Sequence, residues 1–211
     1  MSRPACLSRP SRPQALLALL LAASAGLSAL PAAAAPAEAG DWIVRARAAR
    51  LDPRNHDSTG LDLSINARWL PELDITRFLT PNWAVELVLT TPQKQHLRSA
   101  GSDIGSLRHL PPVLSLQYHL SGLAGWRPYV GAGLNFTRFS SVELPAGVKI
   151  DRSSVGPALG AGVDLPLGGG WLLNLDVKKV WLDTEVSAGG ARLGTLNVDP
   201  MLWSVGFGRR F

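Results

Sequence analysis

Pairs of charged residues recur at a spacing of two. Arg45 and Arg47 flank Ala46, and Asp176 and Lys178 flank Val177; Arg68 and Glu86 hold similar places in other alternating runs. That spacing puts both side chains on one face of a strand, whereas a shared helical face needs a spacing of three or four. The chemistry open to such residues is pairing. A base on one strand can meet an acid on another in a confined space, where an unpartnered charge is costly. Gln117, His119, Tyr129, Asn135, Asp164 and Asn174 have the same parity in their own runs and extend this polar face.

Catalytic patterns are weak by comparison. His56, Asp57 and Ser58 are adjacent, but a triad converges from separate segments, so loop polarity explains them better. His96 and His109 bracket a long connection, and two isolated histidines are a thin basis for a metal site. Gly131-Ala132-Gly133 and Gly160-Ala161-Gly162 lie inside strand patterns rather than at a strand-to-helix turn, so they are not nucleotide loops. The single cysteine, Cys6, lies near the N-terminus. The expectation is a non-enzyme with no catalytic residue, no metal and no cofactor.

The elements that position the charges read as eight strands. They cover residues 41–51, 61–78, 82–91, 113–120, 126–139, 154–165, 171–185 and 196–211. In the last, Met201, Trp203, Val205, Phe207 and Phe211 share one face, and Leu202, Ser204, Gly206, Gly208 and Arg210 share the other. In the second, Leu61, Leu63, Ile65, Ala67, Trp69, Leu73 and Ile75 share the apolar face. A greasy face backed by a small or polar one suits lipid outside and a filled interior; a soluble sandwich or lipocalin-like barrel also alternates. Strands of this length fit a tilted membrane barrel better than a soluble sheet, where about 5–6 residues is typical. Connections 80–82, 121–125 and 166–170 are short, and 52–60, 92–109, 140–153 and 186–195 are longer, as periplasmic turns and extracellular loops are. Trp42, Trp83, Trp126 and Trp171 each open a strand and, with Phe211, mark a membrane-interface girdle. Arg77, Lys179 and Arg209 fall on the lipid side and belong near the rims, where long side chains reach head groups.

The N-terminal 39 residues have the three parts of a secretory signal. Arg3, Arg9 and Arg12 precede the uncharged stretch from Ala15 to Leu30, and Ala37-Glu38-Ala39 offers a cleavage site before Gly40, with cleavage after Ala34 as the alternative. Cleavage there leaves a barrel domain of residues 40–211, about 172 residues, without cysteine and with a net charge of about +3. Its Lys and Arg are scattered rather than clustered, which argues against nucleic acid and for anionic outer-membrane lipid or lipopolysaccharide as neighbours.

Several blocks in order resemble the OmpW family of small outer-membrane barrels. They are Gly40-Asp41-Trp42, LTPNWAVEL from Leu79 to Leu87, Thr90-Thr91-Pro92, HLPPVLSLQY from His109 to Tyr118, RPYVGAGLNFT from Arg127 to Thr137, Gly160 to Asp164, and Val198-Asp199-Pro200. The resemblance implies an all-β, eight-stranded antiparallel transmembrane barrel in the bacterial outer membrane. It also implies a narrow, rather hydrophobic lumen, passage of small hydrophobic compounds, a proposed side opening toward lipid, and a C-terminal strand read by the barrel-assembly machinery. Lys178 and Arg209 depart from the family, which often carries aromatics there. The alternative is a non-conducting barrel whose lumen is plugged by charge and whose loops bind surface partners or stabilise the envelope.

Overall fold

The computed structural model describes residues 37–211 apart from 111, 122 and 124. Most of the expected signal segment therefore lies outside the described residues. The strands in chain order are β1 (Trp42–Asp52), β2 (His56–Asp57), β3 (Leu63–Ile65), β4 (Arg68–Phe78), β5 (Trp83–Thr90), β6 (Gln93–Ser99), β7 (Ser102–Leu110) and β8 (Val113–His119). They continue with β9 (Arg127–Glu143), β10 (Val148–Ile150), β11 (Ser153–Gly168), β12 (Trp171–Val180), β13 (Asp183–Ala188), β14 (Ala191–Asn197) and β15 (Met201–Arg210).

Eight of these close into an antiparallel barrel in the order β1, β4, β5, β8, β9, β11, β12, β15. The seam is β15 against β1, in register from Ile43 opposite Arg210 to Asp52 opposite Met201. Closure removes the free edges that an open sheet would leave. Alternation decides which way each side chain points. Trp69, Leu73, Leu114, Leu116, Val130, Leu134, Phe136, Leu159, Trp203, Val205 and Phe207 are exposed on the outer wall. So continuous an apolar band is a liability in water and the natural surface in a bilayer.

One rim carries the short turns, 79–82, 120–126 and 169–170, and the chain end. Trp42, Trp83, Trp126, Trp171 and Phe211 all stand exposed there. The Arg77 guanidinium lies 5.1 Å over Trp42, and that of Arg209 lies 5.6 Å over Trp171 and 5.3 Å over Phe211. Charge on the lipid side is thus held against an interfacial ring. Lys179 is half-buried, stands 5.7 Å over Trp181 and donates to the Asp199 carbonyl oxygen.

The opposite rim departs from the sequence expectation. The run 61–78 is not one strand: it breaks at Asn66 and Ala67 into β3 and β4. Leu63 and Ile65 consequently face a buried apolar core and not lipid. The break is fastened by side chains. Asn55 donates to the Ile65 carbonyl at 2.9 Å and accepts from its amide at 3.0 Å, and Asn66 accepts the His96 amide at 3.0 Å. The long connections are likewise not plain loops. Residues 93–110 form the β6–β7 hairpin, which extends the wall above β8 by pairing β7 with β9. β10, β13, β14 and β2 form a separate four-stranded sheet. Leu97, Leu107, Phe139, Leu182, Val186, Leu196 and Val198 are buried with the upper lumen residues Val88, Val113, Val180 and Leu202 in one apolar core.

Candidate functional site: a charged belt across the bore

Between this core and the short-turn rim, the interior is crossed by ion pairs. Arg45 sits on β1 opposite Gly208 of β15, and Arg47 sits opposite Gly206. With no side chain beneath them, both guanidinium groups can cross the seam. A Cβ added at Gly208 would come within 2.7 Å of Arg45 Cγ. Arg45 reaches Asp164 on β11 through two parallel bonds, Nε to Oδ1 at 3.0 Å and Nη2 to Oδ2 at 2.7 Å. Its Nη1 donates to Asp74 Oδ2 at 2.9 Å and to Thr76 Oγ1 at 2.8 Å on β4. One side chain therefore ties three strands together, in the forked geometry that suits arginine.

Arg47 is the hub. Its Nε lies 2.5 Å from Glu72, its Nη1 3.1 Å from Asp74 and 3.9 Å from Asp176, and its Nη2 3.5 Å from Glu86. Nη1 also donates to Asn174 at 3.1 Å. Lys178 approaches from β12 and places Nζ 2.8 Å from Glu86 and 3.7 Å from Asp176. Ser115 donates to the same Glu86 oxygen at 2.8 Å. Tyr129, Gly162 and Asp176 share one row across β9, β11 and β12. The phenol passes over the glycine to donate to Asp176 at 2.9 Å, and it accepts from Asn174 at 3.0 Å. Arg45, Arg47, Glu72, Asp74, Glu86, Asp164, Asn174, Asp176, Tyr129 and Lys178 are all buried. The carboxylates outnumber Arg45, Arg47 and Lys178, so the belt is acid-rich.

Below the belt, His119 and Gln117 hydrogen-bond at 3.0 Å. The imidazole is sandwiched by Phe78 at 4.8 Å and Tyr129 at 4.9 Å. Ile43, Phe78, Ala84 and Leu172 close that end with an apolar cluster, joined by Ala37 from the segment ahead of the expected cleavage site. Above the belt the lumen is lined mainly by Leu51, Val88, Val113, Val180, Leu182 and Leu202 and floored by Glu72 and Lys178, and these side chains leave a space of only about 10 Å³, room for about one water. From the loop rim inward, the lumen is apolar, then ionic, then aromatic.

Not every sequence candidate joins the belt. Arg68 has the inward parity of β4 but lies at its loop end, above Leu70, where it donates to the Lys94 carbonyl oxygen. It cannot reach the carboxylates, because Leu51 and Leu70 fill the intervening level. Asn135 is also above the belt, bonded to the Pro112 carbonyl at 3.3 Å and to Thr137 at 2.7 Å. Glu72, Asp74, Thr76 and Ser115 belong to the belt without being sequence candidates; the spacing of two that marks Arg45 and Arg47 marks Glu72, Asp74 and Thr76 as well. Among the residues with catalytic types, Asp57 accepts from Thr59 and from the Leu63 amide, Ser58 donates to the Thr195 carbonyl, and His96 pairs with Asp103 at 2.6 Å. The His109 side chain lies outside the described residues.

A closed eight-stranded barrel with a lipid-facing apolar wall and interfacial aromatics defines an outer-membrane protein of bacteria. Residues 38–211 match the OmpW family, and the chain belongs to it. It is 31% identical to outer membrane protein W of Vibrio cholerae, over 90% of this chain and 97% of that one. It is also 31% identical to the dibenzothiophene metabolism operon protein PahQ of Pseudomonas aeruginosa, over 63% of this chain and 67% of that one. The crystal structure of OprG from Pseudomonas aeruginosa superposes with a TM-score of 0.72 at 29% identity, covering 82% of this chain and 97% of OprG.

Proposed function

We propose that the protein admits small hydrophobic compounds at its loop rim, while the belt closes the bore to ions and water along the axis. The observation that carries this reading is the apolar lining above Glu72 and Lys178, whose closely packed side chains must part for a compound to enter from the loop rim. An apolar compound gains by leaving water for such walls, at roughly 25 cal/mol per Å² of apolar surface buried. An ion gains nothing there. Membership of the OmpW family and likeness to a protein of a dibenzothiophene metabolism operon support a hydrophobic cargo. The test is uptake of an aromatic hydrocarbon by cells that carry or lack the protein. Slower uptake without it is expected; equal uptake would remove the reading.

The belt itself favours a second reading, a barrel that conducts nothing and serves through its loops or by stabilising the envelope. The same uptake measurement separates the two. For assembly, the exposed Phe211 after β15 is the end we expect the barrel-assembly machinery to engage.

A further inference from the structure

On the outer wall, β9 and β11 carry an apolar strip that ends in two arginines. Val155 stands opposite Phe136 and Ser153 opposite Arg138, with Leu134 and Leu159 further toward the turn rim. Phe136 is 45% and Val155 62% exposed. Arg138 and Arg152 line one open concavity of about 460 Å³ with Phe136, Thr137, Ser153, Ser154 and Val155. Both arginines are exposed. Neither guanidinium has a hydrogen bond, ion pair or ring partner among the described residues. The other wall cations differ: Arg50 pairs with Asp52, Arg77 lies over Trp42, and Arg209 lies over Trp171 and Phe211.

The position in the membrane selects the ligand. The strip runs into the long-loop rim, which faces the outer leaflet in barrels with short periplasmic turns. Paired guanidinium groups at that level match a phosphate, which accepts their N–H groups in a fork. The apolar strip directly beneath requires that the phosphate carry hydrocarbon chains. A free anion would use the arginines and leave the strip to other lipids. A lipid with chains and no phosphate would leave both cations unpaired.

We infer that Arg138 and Arg152 form a binding site for the phosphorylated glycolipid of the outer leaflet, with its acyl chains lying along Phe136, Val155 and Leu159. This site is on the outer wall and is independent of what passes through the lumen. It would anchor β9 and β11, the two longest barrel strands, to the surrounding leaflet.

The test is native mass spectrometry of the folded mature barrel released from detergent with bisphosphorylated lipid A. Wild-type protein should retain one lipid A in preference to others. Arg138→Gln/Arg152→Gln should bind about tenfold more weakly, as expected for losing a charge-assisted fork. Dephosphorylated lipid A should lose the same preference on wild-type protein, and millimolar inorganic phosphate should not displace the lipid. Arg192→Gln, in the loop sheet and paired with Glu185, is the control and should bind as wild type. Folding of each variant is checked by its shifted mobility without heating. Should the double variant fail that check, Arg152→Gln alone, outside any strand, replaces it and should still weaken binding. Equal retention by a folded variant would overturn the site. Displacement by inorganic phosphate would overturn it in favour of a free-anion site.

Discussion

Arg47 touches more of the belt than any other side chain, and its removal should be the most damaging single change. Arg47→Ala leaves Glu72, Asp74 and Glu86 buried with fewer cations. Losing one partner of a buried pair costs about 3–5 kcal/mol. Urea unfolding in lipid vesicles should show a loss of that order. Lys178 and Glu86 allow a cleaner measurement. Lys178→Met alone strands a carboxylate, whereas Lys178→Met with Glu86→Gln removes both charges at 2.8 Å separation. The double variant should be more stable than the sum of the two single losses, with a coupling above about 1 kcal/mol. Additive losses would mean that the contact contributes nothing. Gly162 tests geometry and not charge. An alanine there would place Cβ 2.5 Å from Tyr129 Cζ and 2.7 Å from the Leu175 carbonyl oxygen. The tyrosine must then leave Asp176, and overpacking of this kind costs about 1–3 kcal/mol. Wild-type stability in Gly162→Ala would contradict the crossing of phenol over glycine.

At the scale of elements, the loop sheet hangs on short polar clasps. Asp57 is one. Partial burial pushes its carboxyl toward protonation, but the amides of Thr59 and Leu63 and the Thr59 hydroxyl outweigh this and hold it below the usual 3.8. A carboxylate whose folded pKa is depressed contributes stability above its unfolded pKa, and the contribution fades as pH falls through the lower folded value. Protease resistance of residues 53–67 should therefore be present at neutral pH and decline in strong acid. Asp57→Ala should lower it at neutral pH and converge with the wild type in strong acid, with the barrel core unaffected. A pH-independent cleavage pattern would contradict this clasp.

The same elements show where the sequence was readable. The barrel strands were legible because one face meets lipid and the other the interior, so alternation is enforced along β1, β5, β8 and β15. The loop strands were not. β3 and β6 bury residues against a core built from several distant segments, so Leu63 and Ile65 continue the apolar parity of β4 while facing elsewhere. Nothing local marks the break at Asn66, because its partner is the His96 amide, thirty residues away. In the belt, Arg45, Arg47, Asp176 and Lys178 could be read from spacing. The hub role of Arg47 could not, since it depends on register across the β15–β1 seam and on glycines beneath the arginines.

For the whole molecule, the lumen has three levels: an apolar layer, an ionic belt and an aromatic floor. The belt ties β1, β4, β5, β11 and β12 by side chains, adding cross-links to a barrel already closed by its backbone. On the function proposed above, these pairs close the bore as well as cross-link it. The most direct measurement is a planar-bilayer recording of the folded barrel at neutral pH, beside Lys178→Met/Glu86→Gln. Wild-type protein should show no steady ion conductance, and the double variant should leak. A stable conductance through the wild-type barrel would show that the belt does not close the bore, and the account of the lumen would fail.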